Sequence, residues 1–254
     1  MKYAVDGDHR NFFQKHHRIE FDGLLSSEQI KACNTALNEV LCVRLSKTLA
    51  NVNRLPSETL FMAGHDLWRA HPVIKKIVTQ RTYGEVAAEL FLQQPLRLAY
   101  DQLIIPPTPA IIQTEANPVY VELIEKGATL ESMSGIQGII GGLMLCLSDA
   151  PIKVEPEGEV KEKEEKEEEP ENKLQETSLF ANQAGNGVFF DNTVVIPFSE
   201  LAERQNQRFL LIVYTQQVSV YVMQKTDPHL HHLKRFGYQF GDKLSIKHHP
   251  IIFR

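Results

Sequence analysis

QRFLLIVYTQQVSVYVMQ, residues 207–224, carries β-branched, aromatic and leucine side chains in near-unbroken succession. This composition suits a pleated, buried surface. Side chains alternate across a strand, so Arg208, Leu210, Ile212 and Tyr214 share one face and Phe209, Leu211 and Val213 share the other. The stretch is strongly β in composition. Similar signals lie upstream in LRLAYDQLII (96–105), GIQGIIGGLMLCLSD (135–149) and NGVFFDNTVVIP (186–197). The end of the chain, DPHLHHLKRFGYQFGDKLSIKHHPIIFR (227–254), reads as a short helix, a glycine turn and a last strand.

The first 95 residues read differently. In SSEQIKACNTALNEVLCVRL (26–45), Ser26 and Gln29 have capping-box spacing. Ile30, Cys33, Leu37, Val40 and Leu41 then recur at helical intervals. A second helical region begins near Asp66, with a fresh start at His71-Pro72, and Thr82 is placed to cap a third helix that Pro95 ends. Helices first and strands after predict one α+β domain over 1–254, mainly helical to 95 and mainly β from 96, with helices buttressing a β sandwich or barrel. The 254 residues are 43% hydrophobic, enough for a core of that size.

Charge is concentrated in one place. Residues 155–171 hold ten Glu against three Lys, so a chain with a net charge of −5 keeps +2 in the remainder. A disordered, solvated acidic insert is expected at about 152–176, because this composition has little apolar surface to bury; a charged interaction tail is the functional alternative. The near-neutral remainder gives no strong nucleic-acid signal. The longest apolar run falls short of the ~20 residues that cross a bilayer, and no signal-peptide pattern opens the chain. Cys33, Cys42 and Cys146 are far apart and odd in number, which reads as buried reduced thiols in a cytoplasmic protein.

Few motifs carry chemistry. The glycines of GIQGIIGG lack the order of a phosphate or dinucleotide loop and read as close strand packing. The ten histidines include His16-His17, His229-Leu-His231-His232 and His248-His249, but none has zinc-protease spacing to a carboxylate. His231 and His232 read as solvated residues of a surface helix. Arg208 either faces inward, where burial demands a carboxylate or other anion, or faces outward into solvent.

Taken in order, IEFDGLLSSEQIKACNTALNEVL (19–41), HDLWRAHPVIKKIVTQRTYGEVAAELFLQQPLRLAYDQLIIPP (65–107), GNGVFF (185–190), NQRFLLIVY (206–214) and DPHLHHLKRFGYQFGDKL (227–244) resemble the phytanoyl-CoA dioxygenase-like branch of the Fe(II)/2-oxoglutarate oxygenase superfamily. The resemblance implies a double-stranded β-helix, a jelly roll of the cupin kind, with N-terminal helices outside it. It also implies an iron triad of His-x-Asp/Glu and a later His, with a basic residue beyond for 2-oxoglutarate. Carried onto this chain, the first His falls on Gln113, the acid on Glu115 and the cosubstrate arginine on Arg208. No His stands between Phe190 and Arg208, and no His-x-Asp or His-x-Glu occurs anywhere. The resemblance therefore implies a vestigial site at Gln113 and Glu115, no bound metal, no cofactor and no catalytic residue. The protein is then a non-catalytic relative that binds a small anion or a protein partner. Two alternatives stand beside it. One is an active Fe(II)- and 2-oxoglutarate-dependent dioxygenase with atypical ligands, drawn for instance from His229, His231 or His248. The other is a metal-responsive regulatory or interaction protein.

Overall fold

The computed structural model describes residues 4–106, 117–149, 178–205 and 207–254. Gln113, Glu115 and the acidic insert lie outside the described residues. Helices dominate the first part: α1 (Gly7–His16), α2 (Ser27–Leu45), α3 (Leu49–Val52), α4 (Ser57–Ala63), α5 (Pro72–Val78) and α6 (Arg81–Phe91). Strand β1 (Arg18–Phe21) interrupts them, and β2 (Leu96–Ile104), α7 (Pro118–Lys126), β3 (Ile136–Cys146), β4 (Gly187–Asp191), β5 (Phe209–Tyr221) and β6 (Ile251–Phe253) follow.

The six strands form one antiparallel sheet in the order β1-β4-β3-β5-β2-β6, curled into a half-barrel. A closed double-stranded β-helix is not what the described residues form; a single curled sheet takes its place. The long 207–224 stretch supplies β5, which sits between β3 and β2 and is buried on both faces over its first seven residues. Leu210, Ile212 and Tyr214 join Leu37, Leu41, Ile74 and Tyr83 in the core under the helices. Phe209, Leu211 and Val213 join Tyr100, Phe180, Phe190 and Phe198 in a second core on the other face.

Local chemistry explains the helix boundaries. The Ser26–Gln29 capping box opens α2, satisfying two donors that the first turn leaves free. His71 caps α5, with Pro72 at its first position. The cap of α6 is Gln80 rather than Thr82; Gln80 Nε2 donates to Thr82 Oγ1, and Pro95 lies beyond a helix that already ends at Phe91. The glycines of β3 serve close packing: a Cβ on Gly141 would lie 2.5 Å from Phe91 Cζ and 2.6 Å from the Phe190 carbonyl oxygen. Helix α6 rests on the strand at that point. The register of β3 against β5 shifts between Gln137 and Ile139 and again before Gly141, so the strand is bulged as its glycines suggest. Among the described residues no helix is long and apolar enough to cross a membrane.

Candidate metal centre

Strand β2 carries the site. A register shift between Leu98 and Tyr100 re-aims the side chains that follow, which is what a bulge does to a strand. Leu103 then meets the helix-side core, and Tyr100 and Ile104 meet the other. Asp101 and Gln102, neighbours on the strand, are both fully buried.

The 64–69 segment docks on this strand. Gly64 ends α4 where a side chain would not fit, since a Cβ would stand 2.8 Å from the Leu60 carbonyl oxygen and 2.9 Å from Leu103 Cβ. His65 bridges Gln102 as an isolated antiparallel pair. The Asp66 backbone is left-handed, with φ of 55°, and its N–H donates to the Asp101 carbonyl at 2.8 Å. The Asp101 carboxylate accepts from the Leu67 and Trp68 N–H groups at 3.1 and 3.0 Å. From α2, Arg44 donates to the carbonyls of Ala63, His65 and Asp66. His65 and Asp66 are thus held from both sides by backbone hydrogen bonds.

The C-terminal segment closes over them. His232 opens a short 3-10 helix, His232–Phe236, and its Nε2 donates to Asp66 Oδ2 at 3.1 Å, across 166 residues of chain. The ligand atoms of His65, Asp66 and His232 all lie within 4.8 Å of one another. His229, 9% exposed, stacks on His65 with ring centroids 4.1 Å apart. The solvated-histidine reading therefore fails for His232, because its turn folds against β2 rather than away from it, and it holds for His231. His231 is exposed, and His248 stacks on Phe236.

The amide of Gln102 organises the imidazoles. Its Nε2 donates to the Phe61 and Leu103 carbonyls, both at 2.8 Å. That orientation leaves Oε1 to accept, from His65 Nδ1 at 3.2 Å and His229 Nε2 at 3.0 Å. Each ring must carry its proton on the nitrogen facing Gln102. His65 keeps its Nε2 lone pair available, as a ligating histidine requires.

The ionisation states are those of metal ligands. Burial, with His229 and His232 close by, holds His65 well below the usual histidine range. Burial also lowers His232, outweighing the hydrogen bond to Asp66, and brings His229 down to about 3. Burial alone would raise Asp66, but the His232 hydrogen bond and the Arg69 guanidinium keep its carboxyl below the ordinary range. Two neutral imidazoles beside an ionised carboxylate form a donor set suited to ferrous iron. The residues fit the metal in type and charge, and the carboxylate already serves other donors. Asp66 Oδ2 also accepts from Arg69 Nε at 2.8 Å and from Arg235 Nη2 at 3.0 Å, and Oδ1 accepts from Trp68 Nε1 at 3.0 Å.

A cavity of about 20 Å³ adjoins the cluster, lined among others by Tyr100, Ser134, Tyr221 and Asp227. That is room for one water-sized species, so a 2-oxo acid enters only if the lining moves. Asp227 anchors one wall by accepting from the His229 and Gly135 N–H groups at 2.7 and 2.9 Å, and burial raises its carboxyl to about 6.

Arg208 is half-buried on the helix side of the sheet. It donates through Nη1 to Asn38 Oδ1 of α2 at 2.7 Å, and its backbone N–H donates to Ser148 Oγ. It does not line the cavity. The candidate ligands that sequence reasoning missed are His65, Asp66 and His232. Their one sequence signal is the adjacent His-Asp pair, which a His-x-Asp pattern passes over.

A half-barrel sheet with helices on one face, and two histidines and an aspartate clustered against it, defines a class of fold and centre. Known structures share the fold. The non-haem α-ketoglutarate-dependent carbocyclase SnoK from nogalamycin biosynthesis superimposes with a TM-score of 0.59 at 14% identity, over 97% of this chain and 96% of that one. The non-haem α-ketoglutarate-dependent epimerase SnoN gives a TM-score of 0.57 at 12% identity, over 96% of this chain and 97% of that one. SnoN in complex with Fe3+, α-ketoglutarate and nogalamycin RO gives 0.53 at 12% identity. No family model matches the sequence, and no curated protein is significantly similar to it. The fold is thus that of iron/2-oxoglutarate oxygenases. The expectation of no cofactor is overturned: these neighbours depend on iron and α-ketoglutarate, and the chain brings a metal-type triad together at His65, Asp66 and His232.

Proposed function

We propose that the protein is a metal-dependent member of the Fe(II)/2-oxoglutarate oxygenase superfamily with an atypical ligand set, in which His65, Asp66 and His232 hold the iron. The observation that carries this reading is the convergence of these three groups within 4.8 Å on an oxygenase fold, with two neutral imidazoles beside an ionised carboxylate. It takes the place of the non-catalytic reading, whose premise was that no imidazole pair accompanies a carboxylate. The order of helices and strands favours the phytanoyl-CoA dioxygenase-like branch.

Iron(II) bound there would supply the redox centre for oxygen and a 2-oxo acid. The chain's own residues supply the rest. Gln102 and His229 orient His65, and Arg44 and Asp101 hold the 64–69 segment in register with β2. His232 is neutral with its proton on Nε2, so ligation through that nitrogen moves the proton to Nδ1 and leaves the imidazole neutral. The test is anaerobic titration of the purified, chelator-treated protein with Fe(II). One equivalent should bind in the wild type, and Asp66→Asn and His232→Ala should each lose it. Wild-type protein that takes up no iron, or an Asp66→Asn variant that takes up as much, overturns the assignment.

A further inference from the structure

Asp66 is 1% exposed, and its Oδ2 atom serves three donors at once: His232 Nε2, Arg69 Nε and Arg235 Nη2. A divalent cation on this carboxylate meets two guanidiniums already seated there. The two are not held alike. Arg69 lies 4.3 Å from the Trp68 ring centroid and 4.4 Å from that of Phe236, and its Nη2 donates to the His248 carbonyl at 2.5 Å. Its side chain is 17% exposed. Arg235 is 45% exposed and sits in the short 3-10 helix; among the described residues its guanidinium covers only the Phe236 ring, at 4.6 Å, and makes its one side-chain hydrogen bond to Asp66. Of the two, Arg235 is the one that can swing into water at small cost.

We propose that Arg235 is an internal competitor for the metal, so that an oxyanion which draws this guanidinium off Asp66 promotes cation binding. The inference rests on the metal centre proposed above and adds its regulation and the charge of the ligand that triggers it. A guanidinium and a divalent cation repel each other across a shared carboxylate, and a guanidinium pairs equally well with a carboxylate or a sulfate-type anion. Because the coupling is reciprocal, bound metal also frees Arg235 for the anion. The site then loads fully only when an anionic ligand is present at its mouth. Asp66 keeps Arg69, Trp68 and His232 when Arg235 is removed, so the variant retains the partners that hold the carboxylate in place.

The test is Mn(II) binding, followed by the free-ion electron paramagnetic resonance signal, in wild type, Arg235→Gln, Arg235→Lys and Asp66→Asn. Each is measured in chloride, acetate and sulfate at equal ionic strength, which removes general screening. Arg235→Gln should bind Mn(II) about fivefold more tightly than wild type in chloride, as expected on removing one like charge at a half-exposed position. Arg235→Lys should stay near wild type. Sulfate or acetate should tighten binding to the wild type several-fold and leave Arg235→Gln unchanged; the stronger of the two identifies the oxyanion class. Binding that Asp66→Asn abolishes but that responds neither to Arg235→Gln nor to the anions overturns this inference alone. Absence of Asp66-dependent binding in both wild type and Arg235→Gln overturns the metal centre, and the inference with it.

Discussion

Replacing Gln102 with leucine probes the element on which the histidine cluster turns. The side chain is fully buried and makes four hydrogen bonds, two donated to the Phe61 and Leu103 carbonyls and two accepted from His65 and His229. Leucine is close in size, so the change removes the bonds with little change in packing. Each buried partner left alone costs about 1 kcal/mol or more, which puts the four together at about 4 kcal/mol. Burying a leucine in place of an amide offsets about 1 kcal/mol of this. The net loss should be about 3 kcal/mol, read as a lower urea midpoint at unchanged slope. A second measurement separates this from generic damage. Long-range 15N–1H correlation spectra should show His65 protonated at Nδ1 and His229 at Nε2 in the wild type, and a mixture of tautomers in the variant. A loss below about 1 kcal/mol, or a wild-type His65 with its proton on Nε2, would refute the reasoning.

Three further outcomes follow from the same geometry. Asp66→Asn turns an amide NH2 or a weaker acceptor toward Arg69, Arg235 and His232, and should destabilise the fold by about 3–5 kcal/mol in urea unfolding. His249 is buried with Nδ1 donating to the Ala99 carbonyl, and burial lowers it from 6.5 to about 4. Between those values the unfolded chain binds a proton that the folded chain does not, so its contribution is present above pH 6.5 and lost as pH falls. The stability difference between wild type and His249→Asn should therefore shrink by about 1.4 kcal/mol per pH unit between about pH 6 and 4; a difference independent of pH counts against it. Asp101 and Asp227, raised to about 7 and about 6, act in the opposite sense in both proteins and cancel from the difference. Gly141→Ala places a methyl against Phe91 and the Phe190 carbonyl and should cost about 1–3 kcal/mol by thermal unfolding.

The α+β order, the capped α2, the bulged glycine-rich strand and the β character of the 207–224 stretch are all legible in sequence. Each is written in local periodicity, capping chemistry or residue size, and such signals act over a few neighbours. Elements with weaker patterns were not legible. Helix α1 opens on an Asp6–His9 capping box and buries only Phe13, and β1 is four residues long. Strand composition also does not say how many strands meet; among the described residues six form one curled sheet.

The centre behaves differently. His65 and Asp66 are adjacent, and on an extended strand adjacent side chains would point to opposite faces. Only the left-handed Asp66 backbone, held by Asp101 and Arg44, turns both toward one ligand volume. His232 reaches them because the turn around Asp227 folds back on β2, a contact with no local signature. Buried Gln102 and Arg97 show the same separation. Their identities are visible in LRLAYDQLII, yet the three carbonyls that Arg97 binds, at Gln217, Leu244 and His249, come from distant parts of the chain. Sequence alone thus carries the elements and the side of each that is buried, since those depend on near neighbours and on the transfer of apolar surface from water. Which polar groups converge depends on long-range packing and on the requirement that every buried donor and acceptor find a partner.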